Sequence, residues 1–595
     1  GVERIALVSD QPEKFSPSDF SPRVTFHHRR ELDAVQRELR DIPGVTVLIY
    51  EQTCATEKRR RRKRGTMEDP KRFAFINDLV CEGCGDCSVE SNCLSVEPLE
   101  TPFGTKRKIN LSNCNKDFSC LNGFCPSFVT VEGATRRKKA PDTDALSQKA
   151  HALPEPDLPA LDTPFDLVVT GVGGTGVVTI GAVTTMAAHL EGKGASVLDF
   201  TGFAQKFGPV ISYVRFGADP AAINQVRVDA GAADALIGGD VVVSSSPKAS
   251  STYRAGMRAV LNTAEMPTGD IVLHRDASLR TRARIEKIAE VTGSDKLRTA
   301  DANRLAEELM GDAIYANMIM LGMAWQEGLV PVGFAAMQRA IELNGVAVER
   351  NKAAFAIGRL ASADPGALHV SEISGEPENL ETIVARRADF LTDYQNTAWA
   401  KRYRAIVARV EAAEAAQGGG DALAKAVAKS MFRLMSYKDE YEVARLHMRT
   451  GFLARLREEF EGDFKVHYHM APPFLPLGTD RRGRPQKMEL GQWMQTPMRL
   501  LARLKFLRGS VFDPFGHSTE RKMERELIGW YQALIETMLD RLPETGADRL
   551  LPVAEAPMDI RGYGPVKEKA VEEVKTRVER LLAEPDAPEA LRRAA

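Results

Sequence analysis

CEGCGDCSVESNC, residues 81–93, and CNKDFSCLNGFCP, residues 114–126, decide what the front of this 595-residue chain is. The first stretch reads Cys81-x2-Cys84-x2-Cys87-x5-Cys93, and its opening triple is the spacing with which bacterial-type ferredoxins ligate iron–sulfur clusters. Successive two-residue loops let a chain wrap one corner of a cubane. A zinc site asks instead for two separated Cys-x2-Cys knuckles, so the close triple counts against it. All eight cysteines lie at or before position 125, which is not how disulfide staples are spread through a chain of this length. The eighth, Cys54, lies outside both stretches and is expected to be a buried thiol.

The two stretches are a repeat. Ile76-Asn77 precede Cys81 as Ile109-Asn110 precede Cys114, an offset of 33. The same offset carries Cys87 to Cys120, and 32 carries Cys93 to Cys125, which Pro126 follows. The second half is therefore Cys114-x2-Asp117-x2-Cys120-x4-Cys125-Pro126, with Asp117 where the middle cysteine belongs. In two-cluster ferredoxins the last cysteine of each half ligates the other half's cluster. Cluster one then takes Cys81, Cys84, Cys87 and Cys125. Cluster two takes Cys93, Cys114 and Cys120, with Asp117 as candidate fourth ligand. A carboxylate is harder than a thiolate and binds iron less covalently, so a labile four-iron cluster, a three-iron cluster and a decayed, empty lobe all stay open.

Outward from this module the chain predicts several α/β and helical domains. Residues 1–54 alternate strand-like runs, Glu3 to Val8 and Val45 to Tyr50, with a helical stretch, Arg30 to Arg40. Lys58 to Arg64 are seven basic residues in succession, read first as a solvated or disordered segment and second as a docking surface for an acidic partner. A polar, Pro-punctuated linker covers 133–163. From 164 to 359 the pattern is strand, Gly-rich turn, helix, strand, with further strand candidates at Asp240 to Ser244 and Asp270 to His274. Residues 360–595 read as mostly amphipathic helices, such as Ala400 to Ala416, Tyr441 to Glu459 and Ser518 to Leu542. Lys plus Arg (80) nearly cancel Asp plus Glu (81), so no global field draws the chain to nucleic acid or membrane. Its apolar runs are too short or too interrupted for a membrane span, and no secretory signal opens it, so a cytoplasmic protein is expected.

The strand Phe165 to Thr170 runs into Gly171-Val172-Gly173-Gly174-Thr175-Gly176 and then a helix, Val177 to Leu190, which satisfies G-x-G-x-x-G in its strand–turn–helix setting. Such a loop aims backbone N–H groups at phosphate. Asp199, at the end of the next strand, stands where a dinucleotide fold keeps its ribose-binding acid. Two readings are open here: an NAD or FAD site, or glycines that merely permit a tight turn and close helix packing.

CEGCGDCSVESNCLSVEP (Cys81 to Pro98), CNKDFSCLNGFCPSFVTVEG (Cys114 to Gly133) and VVTGVGGTGVVTIG (Val168 to Gly181) together resemble the bacterial indolepyruvate ferredoxin oxidoreductases, a branch of the 2-oxoacid:ferredoxin oxidoreductases. The resemblance implies an oxidative decarboxylation of an aryl 2-oxoacid on thiamine diphosphate. Carbon dioxide leaves, the acyl group passes to coenzyme A, and [4Fe-4S] clusters carry electrons to ferredoxin. It also implies a domain plan: 1–65 the end of a thiamine-binding α/β region, 70–132 a ferredoxin-like iron–sulfur module, 164–359 a doubly wound, Rossmann-like gamma-type domain, and 360–595 a mostly helical C-terminal domain. In that family the gamma-type domain needs no nicotinamide, which favours a structural or phosphate-contacting role for Gly171, Gly173, Gly174 and Gly176. Gln205, Lys206 and Arg215 become candidates for contacting the active-site edge or the coenzyme A phosphate. Thiamine enzymes of this group carry Gly-Asp-Gly for Mg2+ and the diphosphate, and this chain has none. The thiamine half is thus expected on a longer polypeptide or a partner subunit, in a homo-oligomeric enzyme, and no catalytic residue is assigned here.

Weaker signals complete the reading. His467 and His469 share one face of a strand without a third metal ligand in register, and ordinary packing is the simpler reading. Ser518 reads as a helix N-cap, and Arg561-Gly562-Tyr563-Gly564 with Lys567 as a closing contact between domains. Two competing functions stand beside the first: an NAD(P)H- or flavin-linked reductase feeding the clusters through the glycine loop, and a zinc-stabilised scaffold without catalysis.

Overall fold

The computed structural model describes residues 1–137, 143–202, 208–368, 378–472, 478–480 and 482–583. The chain divides into two compact units, Gly1–Pro70 and Lys71–Ala595. In the first, β1 (Val2–Ser9) lies between the parallel strands β2 (Val24–His28) and β3 (Val45–Glu51). The helix Leu32–Asp41 turns Val35 and Leu39 onto Ala6 and Val8, a small apolar core. The basic run is not irregular: it belongs to a helix, Ala55–Lys63. Glu57 ion-pairs with Arg61 at 2.9 Å one turn on, and Lys58 reaches Asp10 at 2.5 Å, so part of the like-charge repulsion is offset locally. Cys54 is exposed at the start of that helix rather than buried, and it is not among the residues of this unit's small core.

The second unit opens with the cysteine module. Here β4 (Arg72–Ile76) pairs antiparallel with β7 (Phe128–Glu132), and the hairpin of β5 (Val96–Leu99) with β6 (Lys106–Ile109) is nested between them in sequence. A short β8 (Thr135–Arg136) follows. The expected linker is not irregular throughout: it carries a helix, Thr143–His151, whose Ala150 is buried in the core of the α/β domain, and it leads to that domain's sheet, β9 (Phe165–Val172), β10 (Gly194–Thr201), β11 (Pro209–Gly217), β12 (Ala233–Gly238), β13 (Tyr253–Asn262) and β14 (Leu297–Ala300). Their order is β10-β11-β9-β12-β13-β14. The four strands from β9 to β14 run parallel, while β11 is antiparallel to both of its neighbours. The expected strands at Asp240 to Ser244 and Asp270 to His274 are helical turns instead. The Asp240 carboxylate accepts from the Val243 amide at 2.7 Å and starts a helix, the usual work of an N-cap aspartate. Gly269–Leu273 likewise forms a short helix. The strand in between, β13, opens on Arg254, Gly256 and Arg258, which break up its apolar run.

The remainder is chiefly helical. Leu380–Tyr394, Thr397–Ala416, Ala422–Met435, Thr519–Thr545, Ala547–Glu555 and Gly564–Ala583 share one core around Tyr403, Met431, Tyr531 and Ile535. Ser518 caps its helix by accepting from the Arg521 amide at 3.3 Å. Tyr441 to Glu459 is two helices, Glu440–Met448 and Phe452–Glu459, broken where Gly451 takes φ +74°. This region also supplies strands: β15 (Phe460–Glu461) pairs with β8, and β16 (Lys465–Met470) lies between β7 and β17 (Met488–Leu490). The cysteine module therefore continues into the C-terminal region as one four-stranded sheet, order β17-β16-β7-β4. No described helix is long and apolar enough to cross a membrane.

Candidate iron–sulfur module and glycine loop

The two halves of the cysteine module share their ligand-loop backbone, although Asp86–Ser91 is an α-helix and its counterpart Ser119–Asn122 a shorter 3-10 turn. Gly83 and Gly85 take φ +69° and +80°; their counterparts at the offset of 33, Lys116 and Phe118, take +52° and +60° although neither is glycine. A left-handed conformation costs a side-chain-bearing residue about 1–2 kcal/mol, so the second lobe holds this shape against local preference. The Gly83 amide donates to Cys81 Sγ at 3.3 Å, and the Lys116 amide donates to Cys114 Sγ at 3.3 Å. Asn77 accepts from the Leu79 amide at 3.2 Å as Asn110 accepts from Ser112 at 3.0 Å. The Asn77 amide bonds Ser127 O and the Asn110 amide bonds Ser95 O, both at 2.8 Å, so each half is closed by the residue two past the other half's last cysteine.

Crossing over sorts the thiols into two sets. Burial pushes the Cys84 thiol up to about 12, with the charges of Cys125 and Cys81 adding to it. Cys87 is raised well above its ordinary value by burial and then by Cys125, Cys81 and Cys84. In the other set burial raises Cys120, with Cys114 and Cys93 adding, and raises Cys114, with Cys93 and Asp117 adding. Each lobe's first cysteines thus meet the last cysteine of the opposite lobe. Several buried thiols that oppose one another's ionisation form a donor set that becomes anionic only when a metal supplies the compensating charge. Among the described residues, no three His, Cys, Asp or Glu side chains converge closely enough to ligate a single ion. Asp117 is exposed and accepts from the Ser119 amide and hydroxyl at 3.2 and 3.0 Å, holding the corner position that Cys84 fills in the first lobe.

Close packing fixes the cysteine loops. A methyl group at Gly123 would lie 2.8 Å from Cys87 Cα and 3.0 Å from its amide nitrogen. One at Gly83 would lie 2.3 Å from the Thr105 carbonyl oxygen. The C-terminal region closes over these loops. Glu82 binds Arg433 at 2.9 Å and also Lys438, whose ammonium donates to Cys81 O at 3.2 Å. Arg484 is buried and joins Asp86 at 2.9 Å to Glu90 at 2.8 Å. Tyr563 donates to Val80 O at 2.6 Å, and Arg561 reaches Asp276 at 2.5 Å, so the RGYG turn does tie three segments together. Lys567 pairs with Glu524 at 2.5 Å. None of Glu82, Arg433, Lys438, Arg484 or Lys487 stands out in sequence; the only signal was that Glu82 sits inside a ligand loop.

The glycine loop is built as β9, turn and the helix Val177–Leu190. Its donors are partly spent within the protein. The Gly173 amide donates to Gly208 O at 2.7 Å, and the Thr175 amide to Val172 O at 3.1 Å. At Gly176, φ is +89° and a methyl group would lie 2.3 Å from the Asn317 side chain; at Gly171 it would lie 2.7 Å from Val177. Gly174, at φ +92°, faces open space. Asp199 lies on β10, which β11 separates from β9, whereas a dinucleotide fold sets the acidic strand beside the glycine strand; its carboxylate accepts from Ser212. Arg215 pairs with Asp166 directly across the ladder at 3.2 Å, and Asp166, raised to about 6 by burial, is its partner rather than a ligand's. Gln205 and Lys206 lie outside the described residues. His467 bridges Glu132 and Glu489 at 3.1 and 3.0 Å, and His469 bonds Thr130 at 3.0 Å, so the pair diverges onto separate partners.

Residues 166–361 match the pyruvate ferredoxin/flavodoxin oxidoreductase family, and residues 380–580 match a family of unknown function, DUF6537. A protein named indolepyruvate oxidoreductase subunit IorB from Pyrococcus horikoshii is 29% identical over 206 residues, 34% of this chain and 96% of that protein. Its namesake from Thermococcus kodakarensis is 28% identical over the same length, with the same two shares, 34% and 96%. Among solved structures, the pyruvate oxidoreductase subunit PORC of Thermotoga maritima is 20% identical with a TM-score of 0.25, covering 33% of this chain and 96% of that one. The gamma subunit of a keto/oxoacid ferredoxin oxidoreductase from Geobacter sulfurreducens is also 20% identical, with a TM-score of 0.23 and coverage of 33% and 98%.

Proposed function

We propose that the chain, whose residues 166–361 match the pyruvate ferredoxin/flavodoxin oxidoreductase family, is the gamma-type and electron-transfer portion of an indolepyruvate or other arylpyruvate:ferredoxin oxidoreductase. Its redox groups are two iron–sulfur clusters in the cysteine module. The observation that carries this reading is the matched pair of thiol lobes, equal down to the left-handed turns at 83, 85, 116 and 118. Cys81, Cys84, Cys87 and Cys125 hold a [4Fe-4S] cluster. Cys93, Cys114 and Cys120 hold a second, with Asp117 at its fourth corner.

Bound there, such clusters accept and release electrons one at a time. The chain's own groups prepare the sites. The Gly83 and Lys116 amides aim partial positive charge at Cys81 and Cys114, which favours thiolate over thiol. Ala74, Ile76, Val96 and Phe128 are buried around cysteines of both sets and limit their access to water. The exposed carboxylate of Asp117 leaves the second set open on its own side, where an electron acceptor is closest. The loop Gly171–Gly176 serves the packing of its sheet and helix rather than a nicotinamide.

The rest of the reaction belongs to partners. An N-terminal thiamine-binding part or subunit holds thiamine diphosphate, Mg2+ and the 2-oxoacid; coenzyme A takes the acyl group; ferredoxin takes the electrons; and the whole is a homo-oligomer in the cytoplasm. The aryl substrate rests on the name that the two IorB relatives carry. Anaerobic chain combined with its thiamine-binding part should lose its cluster absorbance on addition of indolepyruvate and coenzyme A and should then reduce ferredoxin. Bleaching by NADH or NADPH with no 2-oxoacid present contradicts the proposal and returns the glycine loop as an electron entry.

A further inference from the structure

The helical C-terminal region contributes nothing to the chemistry above, yet its side chains reach the thiols. Four of its cations come close, and Arg484 among them is answered by Asp86, Glu90 and Asp480. Arg433 and Lys438 are answered by Glu82, which is nine-tenths buried between them. Lys487 is not answered in this way: no described carboxylate forms an ion pair with it. Its side chain passes over the Phe128 ring, with the ammonium 5.6 Å from the ring centre, and donates to the carbonyl oxygens of Gly123 and of Cys125, the latter at 3.3 Å. Residues 121–124 are the link between Cys120, assigned to the second cluster, and Cys125, assigned to the first. Burial lowers the Lys487 pKa, while Cys125 and Cys87 on one side and Cys120 on the other favour its charged form. Asp86, the nearby carboxylate, is already taken by Arg484 at 2.9 Å and Arg482 at 3.6 Å.

We propose that Lys487 is the fixed positive charge that sets the reduction potentials of both clusters, and that holding it between them is a function of the C-terminal region. Reduction adds one negative charge to a cluster. In a low-dielectric interior a cation beside the connecting segment stabilises that charge and makes each cluster easier to reduce. This inference rests on the two-cluster reading above.

The test is an EPR-monitored redox titration of the full chain, prepared or reconstituted without air, as wild type, Lys487→Gln and Lys487→Arg. Gln still donates to the Gly123 and Cys125 carbonyls but carries no charge; Arg keeps the charge. With iron and sulfide content equal in all three, both midpoints should move to more negative potential in Lys487→Gln and stay near wild type in Lys487→Arg. Unmoved midpoints in a fully loaded Lys487→Gln protein overturn the role given to Lys487. Midpoints that shift equally in both variants also overturn it, since that marks a packing effect. Wild-type protein that takes up no iron contradicts instead the cluster reading beneath.

Discussion

Replacing Glu82 by Gln should loosen the seam between the cysteine module and the helical region by about 3 kcal/mol. The Glu82 side chain is only 10% exposed and lies 2.9 Å from Arg433, with Lys438 on its other oxygen. Burial alone would raise its pKa, but the Lys438 and Arg433 cations outweigh burial and hold the carboxyl far below its usual range. Removing one partner of a buried pair costs about 3–5 kcal/mol because the remaining charge is left uncompensated. The Gln oxygen still accepts one hydrogen bond and returns about 1 kcal/mol of that. At about 1.4 kcal/mol per tenfold change, the seam should open about a hundredfold more often. Hydrogen exchange at the amides of 81–87 and 430–438 reads this directly: protection there should fall by about that factor while the sheet from β9 to β14 keeps its own. Because the pKa is depressed, this stabilisation is present above the ordinary glutamate value of 4.5 and is lost only as pH falls below it. A fall in protection of less than about threefold in Glu82→Gln would refute the reasoning, since it would mean that the two cations are satisfied without the carboxylate.

Other expectations follow from the same contacts. Gly123→Ala places a methyl group 2.8 Å from Cys87 Cα, so it should cost about 1–3 kcal/mol and lower iron content selectively at the first cluster, as read by EPR. Gly176→Ala meets Asn317 at 2.3 Å in a left-handed turn; it should lower the thermal midpoint while leaving iron content and cluster spectra unchanged, and altered spectra would contradict a purely structural loop. His469, pushed down to about 4 by burial and bonded to Thr130 at 3.0 Å, is neutral in the fold, so stability should be whole above the ordinary value of 6.5 and decline as pH falls from there toward about 4. His469→Gln should flatten that decline in denaturation midpoints measured across the window.

The sequence read well wherever local chemistry dictates geometry. The cysteine spacing, the offset between lobes, the strand–turn–helix at Gly171 to Gly176 and the Ser518 cap all depend on neighbours within a few residues. It read poorly where a distant partner decides. Asp240 and Val241 to Ser244 have a strand's composition, but the aspartate side chain captures an amide and starts a helix. Asp199 has the right distance in sequence from the glycines, and only the insertion of β11 between two strands removes it from their side. The helical region's strand β16 completing the cysteine module's sheet, and Lys487 reaching the Cys120–Cys125 link, join residues more than 300 positions apart. No periodicity records such pairings. Cys54 was misread because a lone thiol carries no pattern at all.

The central claim, that two thiol lobes hold two clusters, is tested most directly by iron and acid-labile sulfide content with EPR on protein prepared without air, comparing wild type with Asp117→Cys. More than one cluster's worth of iron, above about four atoms per chain, is predicted, with Asp117→Cys changing the signal of the second cluster and leaving that of the first in place. Protein that holds zinc in place of iron and sulfide, or that stays colourless after anaerobic reconstitution, contradicts the account.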